Sequence, residues 1–145
     1  MVDISLQHID LPPAPATAAD PQHLSPLNLA YIGDSVYALL VRTRLVATAN
    51  RPTHALTRIA NRTLSAAAQS AAYHALQPFL NSDEAAIMKR GRNAKSATRA
   101  KNATVADYRC ATGLEALFGF LYLTNQQARL LELFDICWNE SEKHV

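Results

Sequence analysis

Residues 29–37 read Leu-Ala-Tyr-Ile-Gly-Asp-Ser-Val-Tyr, an apolar helical run interrupted by a glycine and a carboxylate. Just upstream, Ser25 offers an N-cap, Pro26 suits a first helical position, and Leu24 is spaced to pack on Leu29 as a hydrophobic staple. The pattern predicts a helix running to about Val46. Along it, positions 27, 30, 31, 34, 37, 38 and 41 trace one stripe of Leu, Ala, Tyr, Asp, Tyr, Ala and Val. An ionised Asp34 in an apolar face loses its water unless a cation, a proton or strong donors compensate. Gly33 lowers helix propensity by about 1 kcal/mol and lets another helix or a ligand approach closely.

A second exception of the same kind lies far along the chain. Residues 111–119 read Ala-Thr-Gly-Leu-Glu-Ala-Leu-Phe-Gly, and Glu115 shares a helical side with Phe118, Gly119 and Tyr122, with no basic residue three or four positions away. Two inward-leaning carboxylates on separate helices suit one hard divalent cation, with water and a phosphate oxygen completing its shell. The alternative is that each is paired separately, in a salt bridge or a helix cap.

Outward from these two segments the pattern stays helical. After Asn50-Arg51-Pro52, an Ala-rich stretch favours one long helix or two abutting ones up to Gln77-Pro78. Ser82 is placed to cap a short helix carrying Ala85, Ala86 and Ile87, which Gly91 would stop in a left-handed conformation. A basic, less periodic stretch follows. Helix spacing returns from about Thr112 with Leu114, Leu117, Phe118, Leu121 and Tyr122, and again in Leu130, Leu133, Phe134 and Cys137. Strand alternation is absent, so the expected fold is all-α, with five to seven helices packed directly on one another.

Prolines 12, 13, 15 and 21 mark residues 1–23 as an irregular arm, leaving 24–141 as the helical domain and 142–145 as a tail. With 145 residues, 49% of them hydrophobic and 18% charged, the chain fits one cored domain and not a disordered polymer. It lacks the ~20-residue apolar run of a membrane span. Cys110 and Cys137 have no zinc-site spacing to the histidines at 8, 23, 54, 74 and 144. Met1–Pro21 carries no basic start followed by an apolar stretch, so a cytoplasmic location is expected.

The net charge of +2 conceals a strong asymmetry. Residues 35–109 hold twelve Lys and Arg against Asp83, Glu84 and Asp107, a net +9. The densest part, Arg90-Gly91-Arg92-Asn93-Ala94-Lys95 followed by Arg99, Lys101 and Asn102, suits a loop gripping phosphates with long cationic stems. The plainer alternative is a solvated basic face. No aromatic and basic alternation suggests a single-strand stacking platform.

Taken in order, Tyr31-Ile-Gly-Asp-Ser-Val-Tyr37, Arg90-Gly-Arg-Asn-Ala-Lys95, Lys101-Asn-Ala, Tyr108-Arg109 and Thr112-Gly-Leu-Glu-Ala-Leu-Phe-Gly119 resemble the ribonuclease III endonucleases. Over residues 24–138 the chain looks most like their small Mini-ribonuclease III branch. The resemblance implies a helical catalytic domain that forms a homodimer, binds Mg²⁺ through Asp34 and Glu115, and cleaves double-stranded RNA to 5′-phosphate and 3′-hydroxyl ends. It implies precursor 23S ribosomal RNA as substrate, with possible ribosomal-protein assistance. Two sites of the dimer would face opposite strands of one duplex.

Full-length relatives carry further acids where this chain has Leu27, Ala30, Ala38 and Thr112, and they append a double-stranded-RNA-binding domain that is not expected here. The RNA grip then falls to the catalytic dimer and its basic loop: Arg90, Gly91, Arg92, Asn93, Lys95, Arg99, Lys101 and Asn102, with Tyr108 and Arg109 also touching RNA. Thr112 is read as a helix cap or as a hydroxyl orienting water. Tyr31, Tyr37 and Tyr122 are read as core or interface aromatics, and Trp138 as a packing residue. The competing functions are a non-catalytic double-stranded-RNA-binding homodimer and a helical dimer making protein contacts. Two acids kept beside phosphates favour the nuclease, because without a cation they repel the RNA.

Overall fold

The structure is a computed structural model that describes residues 9–95 and 103–143. Among these it is all-helical, as expected. Six α-helices follow in order: α1 Pro26–Thr48, α2 Thr53–Thr63, α3 Ala66–Leu76, α4 Ser82–Asn93, α5 Val105–Leu123 and α6 Gln127–Glu142. Single 3₁₀ turns at Pro21–His23 and Gln77–Phe79 lead into and link them. The Ala-rich stretch thus resolves into two abutting helices, with Ser65 capping the second by accepting from the Ala68 N–H.

Helix α5 is the axis. Cys110, Ala111, Gly113, Leu114 and every residue from Ala116 to Leu121 are buried, because α1 covers one side and α4 and α3 most of the rest. Tyr37, Phe118 and Phe134 meet edge to face in the middle, with centroids 5.0 Å (Tyr37–Phe118) and 5.5 Å (Tyr37–Phe134) apart, the preferred geometry for aromatic quadrupoles. Trp138 packs beside Phe134. Both cysteines are free and buried.

Where α1 crosses α5 the backbones touch. A Cβ on Gly33 would lie 1.7 Å from the Glu115 carbonyl oxygen, and one on Gly119 would lie 1.9 Å from that of Leu29. No side chain fits at either position. This contact shifts the buried face of α1 from the predicted stripe: Leu29, Ala30, Gly33, Val36, Tyr37, Leu40, Val41, Arg44 and Leu45 point inward. Tyr31 is 83% exposed, and Asp34 stands exposed at the rim of the buried face.

Five other local expectations are corrected. Ser25 precedes α1 but makes no capping hydrogen bond. Asn81, not Ser82, caps α4: its side chain accepts from the Glu84 N–H at 2.9 Å while the Glu84 carboxylate accepts from the Asn81 N–H at 3.0 Å, a reciprocal capping box. Gly91 does not stop α4; it sits inside the helix with φ below zero. Helix α5 begins at Val105 and not near Thr112, because Thr104 caps it by accepting from the Asp107 N–H. Thr112 is therefore no cap; it lies mid-helix with its hydroxyl donating to the Tyr108 carbonyl.

The α5–α6 turn closes with Asn125 in the left-handed region (φ 57°). Its N–H donates to Tyr122 O, and that of Gln126 to Leu121 O, which satisfies two carbonyls at the helix end. The same turn holds the N-terminal arm. Gln127 accepts from the Leu11 N–H and donates to the Leu11 carbonyl, while Asn125 accepts from the Ala14 N–H.

Candidate active site

Asp34 and Glu115 arrive side by side from α1 and α5, and the glycine crossing is why. Gly33 touches the Glu115 backbone directly, so the next residue on α1 has its carboxyl within hydrogen-bonding reach of the Glu115 carboxyl. Neither acid enters any ion pair among the described residues. The Glu115 carboxyl is pushed up to about 9, first by burial, then by its hydrogen bond to Asp34 and by the Asp34 charge. It is a carboxyl that holds its proton at neutral pH for want of a cation.

Behind it lies Tyr37, whose hydroxyl contacts Cys137. The Tyr37 phenol is pushed well above its ordinary range, mainly by burial, then by Cys137 and by Glu115. Cys137 is likewise pushed up to about 12 by burial. Neither is a candidate proton donor or nucleophile; together they form a dry floor under the acid pair. This pairing has no local signal in sequence, since Tyr37 and Cys137 fall on helices at opposite ends of the chain.

Donor chemistry matches a hard divalent cation. Among the described residues no cluster of three or more His, Cys, Asp or Glu side chains forms, but Mg²⁺ commonly takes only one or two carboxylates and keeps water and substrate oxygens for the rest. A half-buried carboxyl strained by a neighbouring acid gains from such a charge.

The expected basic loop is helix down to Asn93. Arg90, Gly91, Arg92 and Asn93 form the last turn of α4, and Lys95 follows it, exposed. Gly91 is buried against α5, so its expected role in touching RNA is corrected: it has no surface to offer. Arg90 donates to two main-chain carbonyls, Gln22 O at 2.6 Å and Leu24 O at 3.3 Å. Arg92 Nε donates to Asn93 Oδ1. Arg99, Lys101 and Asn102 lie outside the described residues. Tyr108 is half-buried and Arg109 exposed on the second turn of α5, one to two turns before Glu115.

Other basic residues of the +9 stretch are committed elsewhere. Arg44, 3% exposed, pairs with Asp135 and stacks on Phe134 and Trp138 at 5.1 and 5.2 Å. Arg51 donates to the Leu45 carbonyl. A run of like charges in sequence overstates the charge free to meet a ligand, because planar guanidinium groups also serve as buried hydrogen-bond hubs.

The ribonuclease III domain family matches residues 27–126. The chain is 42% identical over 130 residues to the Mini-ribonuclease 3 of Clostridium tetani, covering 88% of this chain and 85% of the relative. It is 45% identical over 114 residues to that of Brevibacillus brevis, covering 79% and 85%. For that of Enterococcus faecalis the figures are 44% over 120 residues, covering 81% and 91%. The chain belongs to the ribonuclease III family, in its Mini-ribonuclease 3 branch. The crystal structure of a Fusobacterium nucleatum protein superposes with a TM-score of 0.75 at 27% identity, over 82% of this chain and 97% of that one. As a member of that branch the chain is an endoribonuclease. Among its described residues no helix is long and apolar enough to cross a membrane.

Proposed function

We propose that this chain cleaves double-stranded RNA hydrolytically as a Mg²⁺-dependent homodimer, with Asp34 and Glu115 as its catalytic, metal-holding pair. The observation that carries this reading is the meeting of those two carboxyls, with Glu115 held protonated to about pH 9 and no cation of the protein beside it. When bound there, a divalent cation supplies charge neutralisation and polarisation at a scissile phosphodiester. The chain's own part is narrower. Asp34, at the rim, meets solvent and substrate first; Asp34 and Glu115 would together hold the cation; and Tyr37 and Cys137, both buried, keep water from the rear.

Recognition of the duplex is assigned to phosphate contacts from Arg92, Asn93 and Lys95 at the end of α4, continued by Arg99, Lys101 and Asn102, with Tyr108 and Arg109 alongside. Cations at the end of α4 and the N-terminus of α5 both favour anions. A-form RNA is read chiefly by shape and backbone, so a basic platform without base-reading side chains suffices. The homodimer is supported by the outer side of α1, where the large apolar side chains of Tyr31, Leu39 and Val46 are 83%, 49% and 65% exposed, with Ser35 and Arg42 between them, a mixture suited to an interface. Precursor 23S ribosomal RNA as substrate, with ribosomal-protein assistance, rests on the resemblance to the branch.

The deciding experiment incubates a labelled duplex with the protein, with and without Mg²⁺, alongside Asp34→Asn and Glu115→Gln. Wild type is expected to cut only with Mg²⁺, leaving 5′-phosphate ends, and both variants to bind without cutting. A wild type that binds and never cuts leaves the RNA-binding homodimer as the function.

A further inference from the structure

The basic end of α4 is fixed twice, once to the helix that carries Glu115 and once to the segment that leads into the helix carrying Asp34. Toward α5 the fixing is steric. A Cβ on Gly91 would lie 2.8 Å from Ala116 Cβ and 2.9 Å from Gly113 Cα, and one on Gly113 would lie 2.6 Å from the Met88 carbonyl and 3.2 Å from the Arg92 nitrogen. Backbone rests on backbone across residues 113–116, the turn that contains Glu115. Toward α1 the fixing is by hydrogen bonds. Arg90 spans from α4 to the carbonyls of Gln22 and Leu24, the segment that feeds straight into α1 and so into Asp34.

The Arg90 guanidinium gives two of its five N–H groups, one on each Nη, to main-chain carbonyls, which fixes its orientation at the end of α4. It is well placed as a brace. Two contacts of different kind then tie the phosphate-gripping platform to both acids and leave it little freedom to slide along either helix.

We propose that Arg90 and the Gly91–Gly113 contact are positioning elements, which hold the basic end of α4 in register with Asp34 and Glu115 and thereby set which phosphodiester of a bound duplex is cut. The inference rests on the nuclease reading above. Arg90 touches neither substrate nor reacting atoms in this role.

The test compares wild type, Arg90→Ala and Arg90→Lys on an end-labelled duplex with one preferred cleavage position, measuring kcat, KM, the salt dependence of binding and the distribution of product ends. Arg90→Ala is expected to lower kcat by roughly tenfold or more, as ångström-scale misplacement does, with KM within about twofold. Its cuts should spread to neighbouring phosphodiesters. Arg90→Lys, still able to donate to one carbonyl, should restore part of the single-position cutting. Gly91→Ala should spread the cuts in the same way; because it strains the core, the surface residue Arg90 carries the decision.

Cutting by Arg90→Ala at the wild-type position and rate overturns the inference alone. So does weakened binding with a salt slope shallower by about one and an unchanged cut position, which would make Arg90 a phosphate contact. A wild type that never cuts with Mg²⁺ overturns the nuclease reading and this inference together.

Discussion

Two glutamates are drawn into this helical domain and their surroundings push them in opposite directions. Glu84, 1% exposed on α4, is gripped at both oxygens by Arg129, with Nε–Oε2 and Nη2–Oε1 each 2.9 Å, and accepts from the Asn81 N–H. Its carboxyl is held below the usual range, mainly by the Arg129 hydrogen bonds, against the opposing effect of burial. Glu115 has burial and an acidic neighbour and is pushed up to about 9. A buried carboxylate with its own cation is finished as structure; one without is an incomplete charge arrangement, and such groups gather at functional sites. The contrast supports the proposed site at Glu115 on grounds independent of the carboxylates' sequence motifs.

The largest expected effect follows from exchanging each acid for its amide. Glu115→Gln and Asp34→Asn should each cut duplex cleavage with Mg²⁺ by about 10³-fold or more, the scale on which removing a main electrostatic element of an active site acts, while thermal stability at neutral pH changes little. Gln at 115 resembles the protonated acid already present. Glu84→Gln should do the reverse. It leaves Arg129 with only the exposed Glu132 as charge partner and should cost about 3 kcal/mol in denaturant unfolding, with kcat retained in the folded fraction. Equal stability losses in the two amides would erase the distinction between the residues.

The next effect is the pH dependence of stability, where the two residues act with opposite sign. The unperturbed glutamate value is 4.5. Glu84 is lowered in the fold, so its contribution is full above about 4.5 and is lost as pH falls through its folded value. Glu115 is raised, so its contribution is full below 4.5 and drains away as pH climbs from there to about 9, at no more than about 1.4 kcal/mol per pH unit. Unfolding curves between pH 5 and 9 should therefore slope downward in wild type and flatten in Glu115→Gln. Millimolar Mg²⁺ should lift the alkaline side of the wild-type curve by preferential binding to the folded state and leave Asp34→Asn unmoved. An upward wild-type slope would mean that the acids are compensated by another group.

How much of this the sequence carried depended on whether a signal was local. Helix α1 was legible because Pro26 and an apolar run lie within one segment, and both acids stood out as charges among apolar neighbours. Their meeting was not legible, because it depends on Gly33 and Gly119 letting two distant helices touch. The same indeterminacy applies to Gly91. In sequence, a glycine that permits a left-handed stop and one that permits close packing look alike, and only Gly113 across the interface distinguishes them. The buried face of α1 was misplaced for this reason too: large apolar residues such as Tyr31 drew the stripe, whereas the closest contact runs along the smallest ones. Arg44 and Arg90 look like free charge in sequence because their partners, Asp135 and the arm carbonyls, lie far away along the chain.

The smallest predicted effect tests whether Glu84 owes its settled state to Arg129 or to its helix cap. Asn81→Ala removes the side-chain oxygen that accepts from the Glu84 N–H but keeps the Asn81 backbone N–H that donates to the Glu84 carboxylate. The expected loss is about 1 kcal/mol, the usual worth of an N-cap, with the acid side of the stability curve keeping its wild-type slope. Ser25→Ala, at a cap position that makes no side-chain bond, should fall within about 0.5 kcal/mol of wild type. Arg129→Met is the counterpart: with the cation gone and the cap intact, Glu84 should titrate upward and begin to lose stability with rising pH, as Glu115 does. If Asn81→Ala alone shifts the acid limb, the cap and not the guanidinium holds Glu84 ionised, and the two glutamates differ by their helix termini more than by their partners.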